Sequence, residues 1–221
     1  TSGSSDFELA VDDYIEEAFE RCGLEVRTGY DLRTAKRSLN LMFADWANRG
    51  LNRWTITQTT TTITDGTTEY TLAADTIDVL SAVIRENAGT ASQTDTAITR
   101  IGRDTYLNIS SKLTESRPTQ FYIDRQVVPK IRLYPTPNAT YSLVYDRLTR
   151  IEDADAITNT VDIPFRFYPC LAAGLAYYLS IKKAPDRVQL LKAIYDEEFD
   201  RAATEDRDRT SLKLLPYERY I

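Results

Sequence analysis

Leu39-Asn40-Leu41-Met42-Phe43-Ala44-Asp45-Trp46-Ala47-Asn48-Arg49-Gly50-Leu51-Asn52-Arg53-Trp54-Thr55 is the stretch on which the fold of this chain turns. Leu39, Phe43, Trp46 and Ala47 recur at three- and four-residue steps and so share one helical face. Gly50 follows them. A glycine, having no Cβ, can adopt the left-handed conformation that closes a helix at no steric penalty. Trp54 lies just beyond and anchors the exit into the next strand. Leu39, Phe43, Trp46 and Trp54 are therefore the expected core anchors.

Working back towards the N-terminus, Ser5 and Glu8 have capping-box spacing. Phe7, Val11, Tyr14, Ile15, Ala18, Phe19 and Cys22 then recur at helical spacing, and Gly23 is placed to end that helix. Thr28 or Asp31 caps a second helix reaching about Asn48, with Leu32, Ala35, Leu39, Met42, Phe43 and Trp46 as its stripe. Arg33, Lys36, Arg37, Asp45 and Arg49 lie mostly off the stripe. The modest basic face of this helix is a solvated face with local ion pairs, a contact to an acidic partner subunit or, last, a surface for direct DNA readout.

Beyond Trp54 the period changes to that of strands. Ile56–Ile63 is rich in threonine and favours a strand. Asp65-Gly66 is a hairpin signal, with Thr68 to Leu72 as the return strand. Thr76 to Glu86 is a long strand, Asn87 to Gln93 a small-residue loop, and Ala97 to Ile101 a short strand. Arg103 to Lys112 is a candidate short helix. Gln120 to Arg125, Lys130 to Tyr134 and Tyr141 to Leu148 complete an antiparallel set punctuated by prolines. Helical period returns at Asp162, a good N-cap with Pro164 in the first turn. Phe165, Tyr168, Leu171, Ala172, Leu175, Tyr178 and Leu179 share its face. Pro185 opens a further helix carrying Val188, Leu191, Ile194, Tyr195, Phe199 and Ala202.

The expected fold is α+β: a helical bundle formed by the N-terminal and C-terminal helix pairs, with an inserted antiparallel β lobe and an extended C-terminal arm. Neither helical pair buries its apolar face alone, so the two pairs are expected to pack together. The boundaries are residues 1–53 and 151–203 for the bundle, 54–150 for the β lobe and 204–221 for the arm. The arm starts with alternating charges, Glu205 to Arg209, and ends in Leu212, Leu214, Leu215, Pro216, Tyr217, Tyr220 and Ile221. These are too apolar for a solvated linker and too few for a core, so they mark a binding segment or else pack back on the chain's own bundle.

The chain has 221 residues, a net charge of −6 and no histidine. The missing histidine removes the usual neutral-pH acid–base group and the commonest transition-metal ligand. The acidic balance argues against a nucleic-acid footprint. No P-loop, dinucleotide fingerprint or zinc-protease motif occurs. Glu16/Glu17 and Glu197/Glu198 are carboxylate pairs of the kind a glycan hydrolase needs, but they read as solvated helix faces. Asp75 and Asp78 are too incomplete for a calcium loop. Cys22 and Cys170 read as buried thiols. No run of apolar residues approaches the roughly 20 that cross a bilayer, and no secretory leader is visible. No catalytic residue, cofactor or metal is expected.

The order L-N-x-x-x-x-x-W-A-N-R-G-L-N-x-W from Leu39 to Trp54 resembles the early signature of the head–tail adaptor proteins of tailed bacteriophages, the connector or head-completion subunits that include the tail tubular A-like proteins. Tyr70-Thr-Leu72 followed by Asp75 to Val79 is similar to that family's Y-x-L and acidic loop. Arg117-Pro-Thr-Gln-Phe-Tyr-Ile-Asp-Arg125 resembles its P-x-x-Y-Y-x-D-R element, with arginine where glycine often precedes the proline. Leu133-Tyr-Pro-Thr-Pro137, Asp162-Ile-Pro164 and Leu171-Ala-Ala-Gly-Leu-Ala176 continue the order.

The resemblance implies a subunit of a homo-oligomeric, usually twelvefold ring at the head–tail interface of the virion, made and assembled in the bacterial host cytoplasm. Its implied partners are the portal protein, the tail nozzle or tail tube protein and, further, tail fibres. DNA passes through the lumen without specific binding, and no membrane is involved. The C-terminal residues Leu212 to Ile221 are expected to dock onto the portal or a neighbouring subunit. A tail-borne, carboxylate-dependent cell-wall hydrolase is the alternative, and a nucleic-acid packaging factor the third reading.

Overall fold

The computed structural model describes residues 3, 7, 9–49, 53–154 and 160–207. Helix α1 spans Val11–Arg21. Its first turn is tied by the Asp13 carboxylate, which accepts the Ala10 N–H at 3.0 Å. Its end is a Schellman closure: Leu24 N–H reaches Phe19 O at 2.9 Å and Gly23 N–H reaches Glu20 O at 2.8 Å, with Gly23 at φ +72°. Phe7, expected on this helix's stripe, precedes it and is 59% exposed. The reason is local: Ala10 forms an antiparallel bridge with Thr160, so the chain is extended just before α1. The Ser5/Glu8 capping box lies outside the described residues.

Helix α2 spans Gly29–Asn48. Thr28 and Asp31 both cap it, reciprocally. Thr28 Oγ1 accepts the Asp31 N–H at 3.3 Å, and Asp31 Oδ2 accepts the Thr28 N–H at 3.2 Å. Asp31 also pairs with Lys183 far along the chain. The helix closes with Arg49 N–H on Trp46 O at 3.1 Å. Gly50, expected as the stop, lies outside the described residues.

Seven strands follow: β1 (Ile56–Ile63), β2 (Glu69–Thr71), β3 (Thr76–Glu86), β4 (Thr94–Arg100), β5 (Gln120–Asp124), β6 (Lys130–Tyr134) and β7 (Tyr141–Thr149), with a short helix α3 (Arg103–Leu107) between β4 and β5. They form one curled sheet in the order β1-β7-β3-β4-β5-β6-β2. Two expectations are corrected here. β1 and β2 are not a hairpin: β1 pairs with β7 along its whole length, Ile56 opposite Leu148 to Ile63 opposite Tyr141. The Asp65-Gly66 turn docks instead on the last turn of the sheet, Gly66 N–H to Pro137 O at 2.9 Å, and carries the chain to the far edge, where β2 pairs with β6. The strands are also not all antiparallel, since β4 and β5 run parallel through Thr99–Gln120 and Arg100–Phe121. Crossing that parallel step takes the long connection that contains α3.

After β7 the chain returns to helix. A 3-10 turn, Phe165–Phe167, precedes α4 (Tyr168–Lys183), and another, Pro185–Arg187, precedes α5 (Val188–Glu205). Asp162 is therefore not the cap of α4. The tighter winding of the 3-10 turn swings Phe165 out to 71% exposure while Phe167 is buried. Ile194, expected on the buried face of α5, is 37% exposed, whereas Leu191, Tyr195 and Ala202 are buried. Helix α4 is buried at every position from Cys170 to Ala176, as a helix that is apolar all round must be. It touches α1, α2 and α5, and one hydrophobic cluster draws on all four. A second cluster lies within the sheet. Among the described residues no helix is long and apolar enough to cross a membrane.

Candidate functional site

The start of β1, the start of α4 and the end of α5 meet at one place. Trp54 sits in a 3-10 turn, Arg53–Thr55, half-buried with its ring 4.5 Å from that of Phe167. Phe167 in turn lies 5.5 Å from Trp46, which is fully buried and flanked by Phe43 and Phe199, each at 6.0 Å. Leu39 and Phe43 are buried in the same cluster. Arg49 belongs to this packing and not to a free basic face: its guanidinium lies over the rings of Tyr195 and Phe199 and its Nε donates to Asp45 Oδ2 at 2.8 Å. Arg33 and Arg37 remain exposed on α2.

Asp206 fastens the junction. It caps the C-terminus of α5 and is buried. Its Oδ2 accepts the backbone N–H of Arg53 at 2.9 Å, and its Oδ1 pairs with the guanidinium of Arg166. From the sequence, Asp206 belongs to the charged start of the arm, which either continues the preceding helix or frays it; α5 continues through Glu205. A hint was present, because a carboxylate at a helix C-terminus opposes the macrodipole and needs a cation nearby. The consequence is that the chain leaves the described structure from a fixed point beside β1. The segment-binding residues Leu212, Leu214, Leu215, Pro216, Tyr217, Tyr220 and Ile221 themselves lie outside the described residues.

Two clefts border the segment that leads out of β7, residues 150–153. One, of about 570 Å³, is lined by Trp54, Thr57, Asp75, Arg147 and Asp162. The other, of about 450 Å³, lies between α2 and the β5–β6 turn, with Phe43, Ala44, Ile77 and Gln126 among its walls. Charges near them are used in pairs. Arg147 contacts Asp75 at 2.5 Å and Arg100 contacts Asp78 at 2.9 Å, so the two aspartates face different guanidiniums. Glu17 pairs with Arg21, and Glu197 and Glu198 with Arg201, on helix surfaces. Among the described residues no three acidic, cysteine or histidine side chains converge. The thiols of Cys22 and Cys170 are free and buried. Burial pushes Cys22 up and Cys170 up to about 12.

With this architecture in view, the sequence profile of the SU10 adaptor protein family matches residues 8–215. The chain belongs to the SU10 adaptor protein family. This is a family of phage head–tail adaptors, structural proteins of the virion. A search of curated proteins finds no match to the chain. The motifs that carried the resemblance fall on structural positions in this family member. Tyr70 in β2 takes the Thr64 N–H on its hydroxyl at 2.9 Å. Phe121 and Ile123 of β5 are buried in the sheet cluster. Leu133-Tyr-Pro-Thr-Pro137 ends β6, with the Tyr134–Pro135 peptide cis. The Leu171–Ala176 motif is the buried centre of α4.

Proposed function

We propose that the chain is a structural adaptor that forms a homo-dodecameric ring joining the portal protein to the tail nozzle or tail tube, with DNA passing through the lumen unread. The family match over residues 8–215 carries this reading. In it, residues 1–53 and 151–203 form the helical body, residues 54–150 the β lobe and residues 204–221 a docking arm. The net charge of −6 suits a wall that repels the passing duplex and disfavours self-association at low salt. The free chain is then a monomer that the portal templates into a ring, each portal subunit offering an equivalent site. Leu212 to Ile221 grip the portal or a neighbouring subunit, and the Asp206 clamp supports that role by giving the arm a fixed root. Tail fibres would attach to the finished ring.

Mixing the chain with purified portal tests this. Saturation at one adaptor per portal subunit is expected, and loss of binding on deleting residues 210–221 with folding retained. Saturation at one or two copies per portal ring, or unchanged affinity of the truncated chain, would overturn it. A muramidase assay on the same preparation is expected to be blank, and cell-wall hydrolysis would move the reading to the hydrolase alternative.

A further inference from the structure

The two edges of the sheet are unequal. β2 is three residues long, and its Glu69 is held by Lys130 at 2.6 Å and by Arg132 at 2.8 Å. Short length and charge are how edge strands are protected from pairing. β1, at the other edge, has neither defence. It is eight residues of Ile-Thr-Gln-Thr-Thr-Thr-Thr-Ile, without a charge, a proline or a bulge in its ladder to β7. It is outermost in the sheet, and no described strand pairs with its outer side. Its inward row also runs out of apolar side chains. Ile63 is buried in the sheet cluster, but Thr57, Thr59 and Thr61, on the same face, are not.

The occupant is suggested by where the chain goes. Asp206 is bonded to the N–H of Arg53, three positions before β1 begins. The described chain therefore ends, at Arg207, beside the first end of β1. Residues 208–215 are eight, and extended they span the same length as the eight of β1, about 26 Å. Ser211, Leu212, Lys213 and Leu214 alternate polar and apolar, the period of a strand with one covered face.

We propose that in the free chain residues 208–215 add to the outer edge of β1 as a parallel strand, with Leu212 and Leu214 covering the threonine row. The contact shields the edge before assembly and keeps the apolar segment out of water. It concerns the unassembled chain and stands or falls independently of portal docking.

The test is amide hydrogen exchange on the free full-length chain, without portal, at two concentrations tenfold apart. A chain ending at Arg207 and a full-length Leu212→Pro/Leu214→Pro variant are compared with it. Proline cannot donate to a ladder, so the double variant removes the strand without removing the segment. In the parent, every second amide between Thr57 and Thr62 should exchange at least tenfold more slowly than in either altered chain, equally at both concentrations. Val144 in β7 and Leu175 in α4 should keep their protection throughout and so report that each variant is folded. If the shortened chain loses that protection, the proline variant alone decides. Equal β1 exchange in parent and folded variant would overturn the proposal. So would protection that grows with concentration, which would assign the edge to a second copy.

Discussion

Trp46 donates its indole N–H to the hydroxyl of Tyr195 at 2.7 Å, both residues fully buried. The bond ties α2 to α5 across 149 positions of sequence. Burial keeps the Tyr195 hydroxyl protonated, well above the ordinary tyrosine range. Tyr195→Phe takes away the acceptor and should cost about 1–3 kcal/mol. Trp46→Ala leaves a large cavity and should cost about 3–5 kcal/mol, a large part of the stability of an ordinary domain. Thermal melts of the two variants check the order. A melting temperature within a degree or two of wild type for Trp46→Ala would show that the ring is not central.

The clamp at Asp206 predicts a graded response. Asp206→Ala removes both the Arg166 pair and the acceptor for Arg53 N–H. Arg166 is partly exposed, so solvent screens the charge component, and the loss should be about 1–2 kcal/mol. Asp206→Asn keeps an acceptor for the N–H and should lose less. Chemical denaturation of the three proteins measures the series, and equal losses for Ala and Asn would mean that the backbone bond contributes nothing.

Several of these ties were legible in the sequence and several were not, for identifiable reasons. Thr28 and Asp31 were both visible as caps because capping chemistry is local, and the structure uses both. The bounds of β1, β3 and β6 follow from composition and turn residues. Which strand pairs with which does not: Asp65-Gly66 is a good turn, yet β7, nearly eighty positions on, wins the edge of β1 over its full length. The Phe165 error has a similar source, since a 3-10 turn and an α turn share residue preferences but point the same side chain in different directions. Asp206 was missed because its partners, Arg53 and Arg166, are remote in sequence.

Acid should unfold the chain in a way that traces to named carboxylates. The hydrogen bond from Lys183 holds Asp31 below its ordinary value. Lys130, with Arg132, does the same for Glu69, and Arg85 for Asp95. A carboxylate depressed in the folded state stabilises the fold above its unfolded pKa of about 4 and loses that contribution as pH falls through the folded value. Asp31→Asn should therefore lower the melting temperature most at pH 6–7. The gap to wild type should shrink below about pH 4 and close once Asp31 is protonated in both states. Melts from pH 7 to pH 2 follow it, and a gap of constant size would rule out this origin for the acid sensitivity.

Gly174 lies in the middle of α4, where a glycine costs about 1 kcal/mol relative to alanine. Packing accounts for it. A Cβ there would overlap the Met42 sulfur and sit 2.8 Å from Cε2 of Tyr195, so α2 and α5 both close on α4 at this point. The Met42 side chain is flexible but fully buried, and the Tyr195 ring is held by its bond to Trp46. Overpacking of this kind costs about 1–3 kcal/mol, enough to outweigh the gain in helix propensity. Gly174→Ala should thus lower the melting temperature by several degrees instead of raising it. The same substitution made in a Met42→Ala background should cost less, because the sulfur is gone and the two sites are in contact. If Gly174→Ala stabilises the wild-type chain, the three helices do not meet as closely as these distances require.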